Sequence, residues 1–220
     1  MMIKGAVFDM DGLMFDTERL YMRALLEYVG PKTGADFPME GILRTLGCNH
    51  ADFVRLFPEL FGTVITPAEC TELVSEWMQR EIETHGMPVK PGLYDLLDAL
   101  KAQGFKIALA TGTSRPIATI YLETTDTLRY FDAMITGDQV TYGKPDPEIF
   151  LLAANALGFA PQNCVVFEDS YNGLCAAHAG GFHSICVPDL IDPTPRLDFL
   201  PDAVLHTLDE AIPLLCRRNA

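Results

Sequence analysis

The chain has 220 residues, 49% of them apolar and 21% charged, which is ordinary usage for a folded protein and excludes a disordered or low-complexity chain. Its 30 acidic residues against 16 basic ones give a net charge of -14, the wrong sign for gripping a nucleic-acid backbone. No run approaches the roughly 18 apolar residues of a membrane-spanning helix, and MMIKGAVFDMDG reaches two aspartates before any secretory signal has formed.

The cysteines Cys48, Cys70, Cys164, Cys175, Cys186 and Cys216 include no C-x-x-C pair, and several lie in apolar stretches such as NCVVF. They read as reduced, buried thiols. The expectation is a cytoplasmic monomer with neither nucleic-acid nor membrane partners.

In chain order, Gly5 to Phe8 is a short apolar run that suits a strand buried on both faces, ending in Asp9-Met10-Asp11-Gly12. Helical patterns follow near Glu18 to Tyr28, Met39 to Leu46 and Ala51 to Phe57. A longer helix is opened by Thr66-Pro67-Ala68-Glu69, a capping box with proline at its first position, and carries Leu73, Val74, Trp77, Met78 and Ile82 as an apolar stripe. No strand pattern interrupts this block of about seventy residues, far longer than a usual crossover; an inserted helical lobe of this kind makes a lid.

From residue 88 strands and helices alternate. Gly92 to Gln103 is a helix with Leu93, Leu96, Leu97 and Leu100 on one face, stopped by Gly104. Phe105 to Ala110, Cys164 to Phe167 and His183 to Val187 read as strands, and Pro147 to Leu157 as a helix with Asp146 at its N-cap. The pattern predicts an α/β fold: a Rossmann-like, doubly wound parallel-sheet core of residues 1–14 and 87–220, with an all-helical cap of residues 15–86 inserted.

Ligands in open α/β sheets bind beyond the carboxyl ends of the strands, where Asp9 and Asp11 fall. Alone, an Asp-Gly pair also makes an ordinary turn; the other strand ends decide. The second strand closes in Ala110-Thr111-Gly112-Thr113-Ser114, a hydroxylic turn suited to phosphate oxygens. Lys144 stands in a Gly-Lys-Pro-Asp loop before a helix, and the run from Cys164 ends in Glu168-Asp169. Converging carboxylates repel and raise one another's pKa values unless a cation joins them. Magnesium, a hard ion that takes a few carboxylates, waters and substrate phosphate, meets that need, and Lys144 supplies a point charge for a phosphoryl oxygen. Gly137 to Lys144 is not a nucleotide-binding phosphate loop: proline follows the lysine.

FDMDGLMFDTE, ATGTS, GKPDPEIF and VFEDSYNGLCAAHAGG, in this order from Asp9 to Gly181, together resemble the four motifs of the haloacid dehalogenase superfamily, in the branch that includes β-phosphoglucomutase and small-molecule phosphatases. The resemblance implies a helical cap after the first motif. It also implies that Asp9 is the nucleophile and Asp11 the general acid and base. Mg2+ would be held by Asp9, the Asp11 backbone carbonyl, Glu168 and Asp169; Thr111, the Gly112 N–H and Lys144 would bind the transferring phosphoryl group, and Thr113 in the same turn is a further candidate phosphate or substrate contact.

Mutases resembling this branch carry a lysine before a cap glycine and an arginine three residues after it; here Leu46 and His50 stand there, with Arg44 as a possible substitute or an ordinary solvated residue. A phosphonatase-like Schiff base would have only Lys32 in the cap block. Asn49 and His50 are candidate substrate contacts at the cap tip. The expected function is magnesium-dependent hydrolysis of a small phosphorylated metabolite, a sugar phosphate or nucleoside-type monophosphate. The alternatives are a β-phosphoglucomutase-like mutase and a noncatalytic binding relative, the latter disfavoured by the complete set of site residues.

Overall fold

The computed structural model describes residues 3–48 and 50–218. The first apolar run forms strand β1 (Gly5–Phe8), buried throughout. Helices follow: α1 (Thr17–Arg23), which runs through a π-helical stretch, Ala24–Val29, into α2 (Gly30–Thr33), then α3 (Met39–Thr45), α4 (His50–Phe61) and α5 (Pro67–His85). The rest alternates as α6 (Leu93–Ala102), β2 (Lys106–Thr111), α7 (Arg115–Thr124), β3 (Ala133–Thr136), α8 (Glu148–Leu157), β4 (Cys164–Glu168), α9 (Tyr171–Ala179), β5 (His183–Cys186), β6 (Ala203–Val204) and α10 (Ile212–Arg218). The chain divides into two compact units, Met1–Phe15 with Val89–Ala220, and Asp16–Pro88.

All six strands run parallel in one sheet of order β3-β2-β1-β4-β5-β6. Phe8 is level with Leu109 of β2 and Phe167 of β4, and the Phe8 and Phe167 rings stack at 4.6 Å. A parallel sheet must be covered on both faces, which is why its strands are continuous apolar runs instead of alternating ones. Ile149, Phe150, Ala153 and Leu157 of α8, with Ala176 and Ala177 of α9, pack with Val7, Ala108, Ala110 and Val166. The predicted face of α6, Leu93, Leu96, Leu97 and Leu100, is buried. After β3 the chain crosses to the other side of β1, so the winding reverses at β1 and the crevice beyond its carboxyl end is the natural ligand position.

The helical unit has its own core. Rings of Phe37, Phe57 and Phe61 gather with centroids 5.1 to 6.5 Å apart. The capping box of α5 forms as its sequence predicts: Thr66 Oγ1 accepts the Glu69 N–H at 3.2 Å, and Glu69 accepts the Thr66 N–H at 2.8 Å. Cys70, Val74, Met78 and Ile82 are the buried positions of α5, while Leu73 and Trp77 are half-buried, with Arg23 over the indole at 5.0 Å.

Several boundaries differ from the sequence reading. Helix α4 continues through Pro58 to Phe61; the packing of Phe61 against Phe37 and Phe57 favours the extra turn despite the lost amide donor. Helix α8 begins at Glu148, and the Asp146 carboxylate accepts the Glu148 N–H at 2.9 Å from two residues away instead of occupying the N-cap. Strands β3 and β6 have no counterpart in that reading, because β3 is only partly buried at the sheet edge and β6, at the other edge, is two residues long. No helix among the described residues is long and apolar enough to cross a membrane. Cys48, Cys70, Cys164, Cys175 and Cys186 form no disulfide.

Candidate active site

Strand β1 delivers Asp9 directly: its N–H extends the ladder to Phe167 O at 3.1 Å, and the residue is buried. The chain then turns tightly, with Met14 N–H to Met10 O and Gly12 N–H to Phe15 O both at 2.9 Å. Gly12 sits at φ +79°, and a Cβ there would lie 2.4 Å from Asp169 Oδ2. Only glycine permits both this backbone and this approach.

Strand β4 delivers Glu168 and Asp169 alongside. Glu168 is fully enclosed, and its Oε2 accepts the Asp169 N–H at 2.9 Å, the Ser170 N–H at 2.8 Å and the Ser170 hydroxyl at 2.9 Å. The Ser170 Oγ in turn accepts the Gly173 N–H at 3.1 Å and caps α9, whose positive N-terminal end therefore faces the acids. A Cβ on Gly173 would come within 1.7 Å of Glu168 Oε1. Ser170, Gly173 and the close approach of Gly12 escaped the sequence reading; the signal was Ser-Tyr-Asn-Gly, an N-cap hydroxyl followed by a small residue three places on.

Carboxylate oxygens of Asp9, Glu168 and Asp169 lie within 4.8 Å of one another. Lys144, on the loop before α8, donates to Asp9 Oδ1 and, at 2.6 Å, to Glu168 Oε1, while its ammonium lies 4.8 Å from the Phe150 ring centroid. Burial raises the Asp9 carboxyl, Lys144 pulls it back, and Glu168 and Asp11 push it up again, leaving it at about 7. For Lys144 burial acts downward, but Asp9 and Glu168 outweigh it and hold the ammonium above the ordinary lysine value. Three carboxylates against one ammonium leave an excess of negative charge among oxygen-only donors. That is the donor chemistry of a hard divalent cation, so the residues fit Mg2+.

Asp11 lies apart from this trio. Its Oδ2 accepts the Thr113 hydroxyl at 2.7 Å and the Thr111 hydroxyl at 3.2 Å. The intervening Gly112 is exposed, with open space where a side chain would stand. Of the remaining predicted positions, Asn49 lies outside the described residues, and His50 is the first residue of α4, its side chain likewise outside the description. Arg44 pairs with Glu59 at 3.2 Å on an exposed face. Lys32 donates to Tyr28 Oη at 2.6 Å and lies 3.6 Å from Glu76.

A family model described as haloacid dehalogenase-like hydrolase matches residues 3–181. A phosphorylated carbohydrates phosphatase from Thermotoga maritima is 32% identical over 218 residues, covering 96% of this chain and 100% of its own. Hexitol phosphatase A from Escherichia coli is 34% identical, covering 96% and 94%. Among solved structures, CbbY from Rhodobacter sphaeroides in complex with phosphate aligns with a TM-score of 0.79 at 28% identity over 96% of each chain.

Proposed function

Because the chain belongs to the haloacid dehalogenase-like hydrolase family, we propose that it is a Mg2+-dependent phosphatase that hydrolyses the phosphate monoester of a small carbohydrate or related metabolite through an aspartyl-phosphate on Asp9. The observation that carries this reading is the enclosed group of Asp9, Glu168, Asp169 and Lys144 beyond the carboxyl end of β1. The names of the phosphatases similar to it support a phosphorylated carbohydrate as the substrate class.

An Asp9 oxygen attacks phosphorus; the bond from phosphorus to the alcohol oxygen breaks, its electron pair stays on that oxygen, and the Asp11 carboxyl group gives it a proton. Water then attacks the phosphoryl group, the Asp11 carboxylate takes a proton from it, and Asp9 leaves as the free carboxylate. Lys144, held between Asp9 and Glu168, neutralises a phosphoryl oxygen. Asp9, Glu168 and Asp169, with the Asp11 carbonyl, would hold Mg2+, which when bound would supply charge neutralisation. The helical unit Asp16–Pro88 serves as the substrate-selecting cap, and the free thiols of Cys48, Cys70, Cys164, Cys175 and Cys186 are in keeping with a reducing compartment such as the cytoplasm.

A panel of sugar, sugar-alcohol and nucleoside monophosphates, assayed with and without Mg2+, tests the reading. Release of free phosphate should need the metal, and Asp9→Asn should lower it by about a thousandfold or more. Undiminished turnover by Asp9→Asn would remove the covalent mechanism. Isomerised sugar phosphate formed faster than free phosphate would identify a mutase, which Leu46 and His50 in place of the two mutase cations disfavour.

A further inference from the structure

The turn after β2 is built around Thr113. Its N–H donates to Thr111 Oγ1 at 3.1 Å, and its carbonyl accepts the Gly137 N–H at 3.1 Å. Gly137 can approach because it has no side chain: a Cβ there would lie 2.0 Å from Gly112 O. The backbone of Thr113 is thus clamped from both sides, and its hydroxyl donates at 2.7 Å to Asp11 Oδ2, a residue 102 positions away in the chain. Thr111 adds a second, longer donor, 3.2 Å, to the same oxygen.

The one ammonium at the site, Lys144, serves Asp9 and Glu168, the latter also taking the Ser170 hydroxyl, while among the described residues Asp11 is held by the hydroxyls of Thr111 and Thr113. A hydroxyl anchors a carboxyl group without adding charge, and with both donors on Oδ2 the other oxygen is left to carry the proton of the reaction. We infer that Thr113 is a positioning residue for proton transfer to the leaving alcohol, acting through Asp11 and not as a ligand of the transferring phosphoryl group. This rests on the reading of Asp11 as the general acid.

Leaving-group chemistry separates the two roles. An alkyl phosphate expels a strongly basic alkoxide and needs the acid, whereas p-nitrophenyl phosphate expels a stable phenolate and needs little help. The measurement is the ratio of kcat for sorbitol 6-phosphate to kcat for p-nitrophenyl phosphate, in wild type, Asp11→Asn, Thr113→Val and Thr113→Ser. The inference expects the ratio to fall about a hundredfold in Asp11→Asn and about tenfold in Thr113→Val, with Thr113→Ser restoring it. Turnover of the aryl ester reports that each variant's site has formed; if Thr113→Val acts on neither ester, Thr113→Ala takes its place, and inactivity of both overturns the inference in favour of a structural role.

Equal losses on both esters, or a raised KM with unaltered kcat, would make Thr113 a phosphoryl or substrate contact and overturn the inference alone. A ratio unaltered in Asp11→Asn would overturn the assignment of Asp11, and the inference with it.

Discussion

Lys144 donates to two buried carboxylates at once, yet Asp9 remains half-titrated near neutrality. The sign of the consequence follows from its carboxyl standing at about 7 in the metal-free protein. Below that pH the group is mostly protonated, a cation must displace the proton, and Mg2+ affinity falls as the pH falls. Above it the carboxylate is already formed, and affinity levels off. Calorimetric titration with Mg2+ in two buffers of different ionisation enthalpy should therefore find about one proton released per ion at about pH 6 and almost none at about pH 8.5. No release at the lower pH would mean that Asp9 is already ionised there. At this scale Asp9, Asp11, Thr111, Glu168 and Asp169 were readable as neighbours because each stands at or just past a strand end, and Lys144 because it stands in the loop that leads into α8. The division of labour among them was not. That Thr111 and Thr113 turn to Asp11, and Lys144 to Asp9 and Glu168, depends on distances between segments 24 to 135 residues apart in the chain.

Helix α9 approaches the acids more closely than any side chain at its third position would permit. Gly173→Ala would put a methyl group where Glu168 Oε1 now stands, so either the helix or the carboxylate must move. The expected cost is about 1 to 3 kcal/mol in urea unfolding, together with weaker Mg2+ binding because Glu168 is displaced. A variant of wild-type stability and affinity would mean that the first turn of α9 yields freely. Elements with one clear face, such as α5 and α6, were legible from their spacing and caps, as were the buried central strands. The partly buried β3 and the extra turn of α4 were not. An edge position carries little apolar signal, and the turn past Pro58 is decided by Phe37, which lies more than a full helix away in sequence.

The whole molecule carries a net charge of -14 and works, on the proposed reading, on a dianionic substrate. Its long-range field opposes the approach of that substrate, and salt weakens the opposition. At fixed Mg2+, KM for a sugar phosphate should fall about twofold between about 20 mM and about 150 mM NaCl. A severalfold rise would mean that the local field of Lys144 and the metal governs capture. The global fold was legible because alternating strands and helices admit few topologies; the strand order required partners that no local pattern names.

That order also sets a schedule. The strand that leads into Asp9 leaves the ribosome before either of its two neighbours, Lys106–Thr111 and Cys164–Glu168. It must wait through the synthesis of the whole segment Asp16–Pro88, and then of most of the remaining chain, before its hydrogen bonds are complete. Until β4 emerges, an apolar strand with an open edge is exposed to other nascent chains. The centre of the finished sheet is therefore the part of the molecule that depends longest on protection during translation.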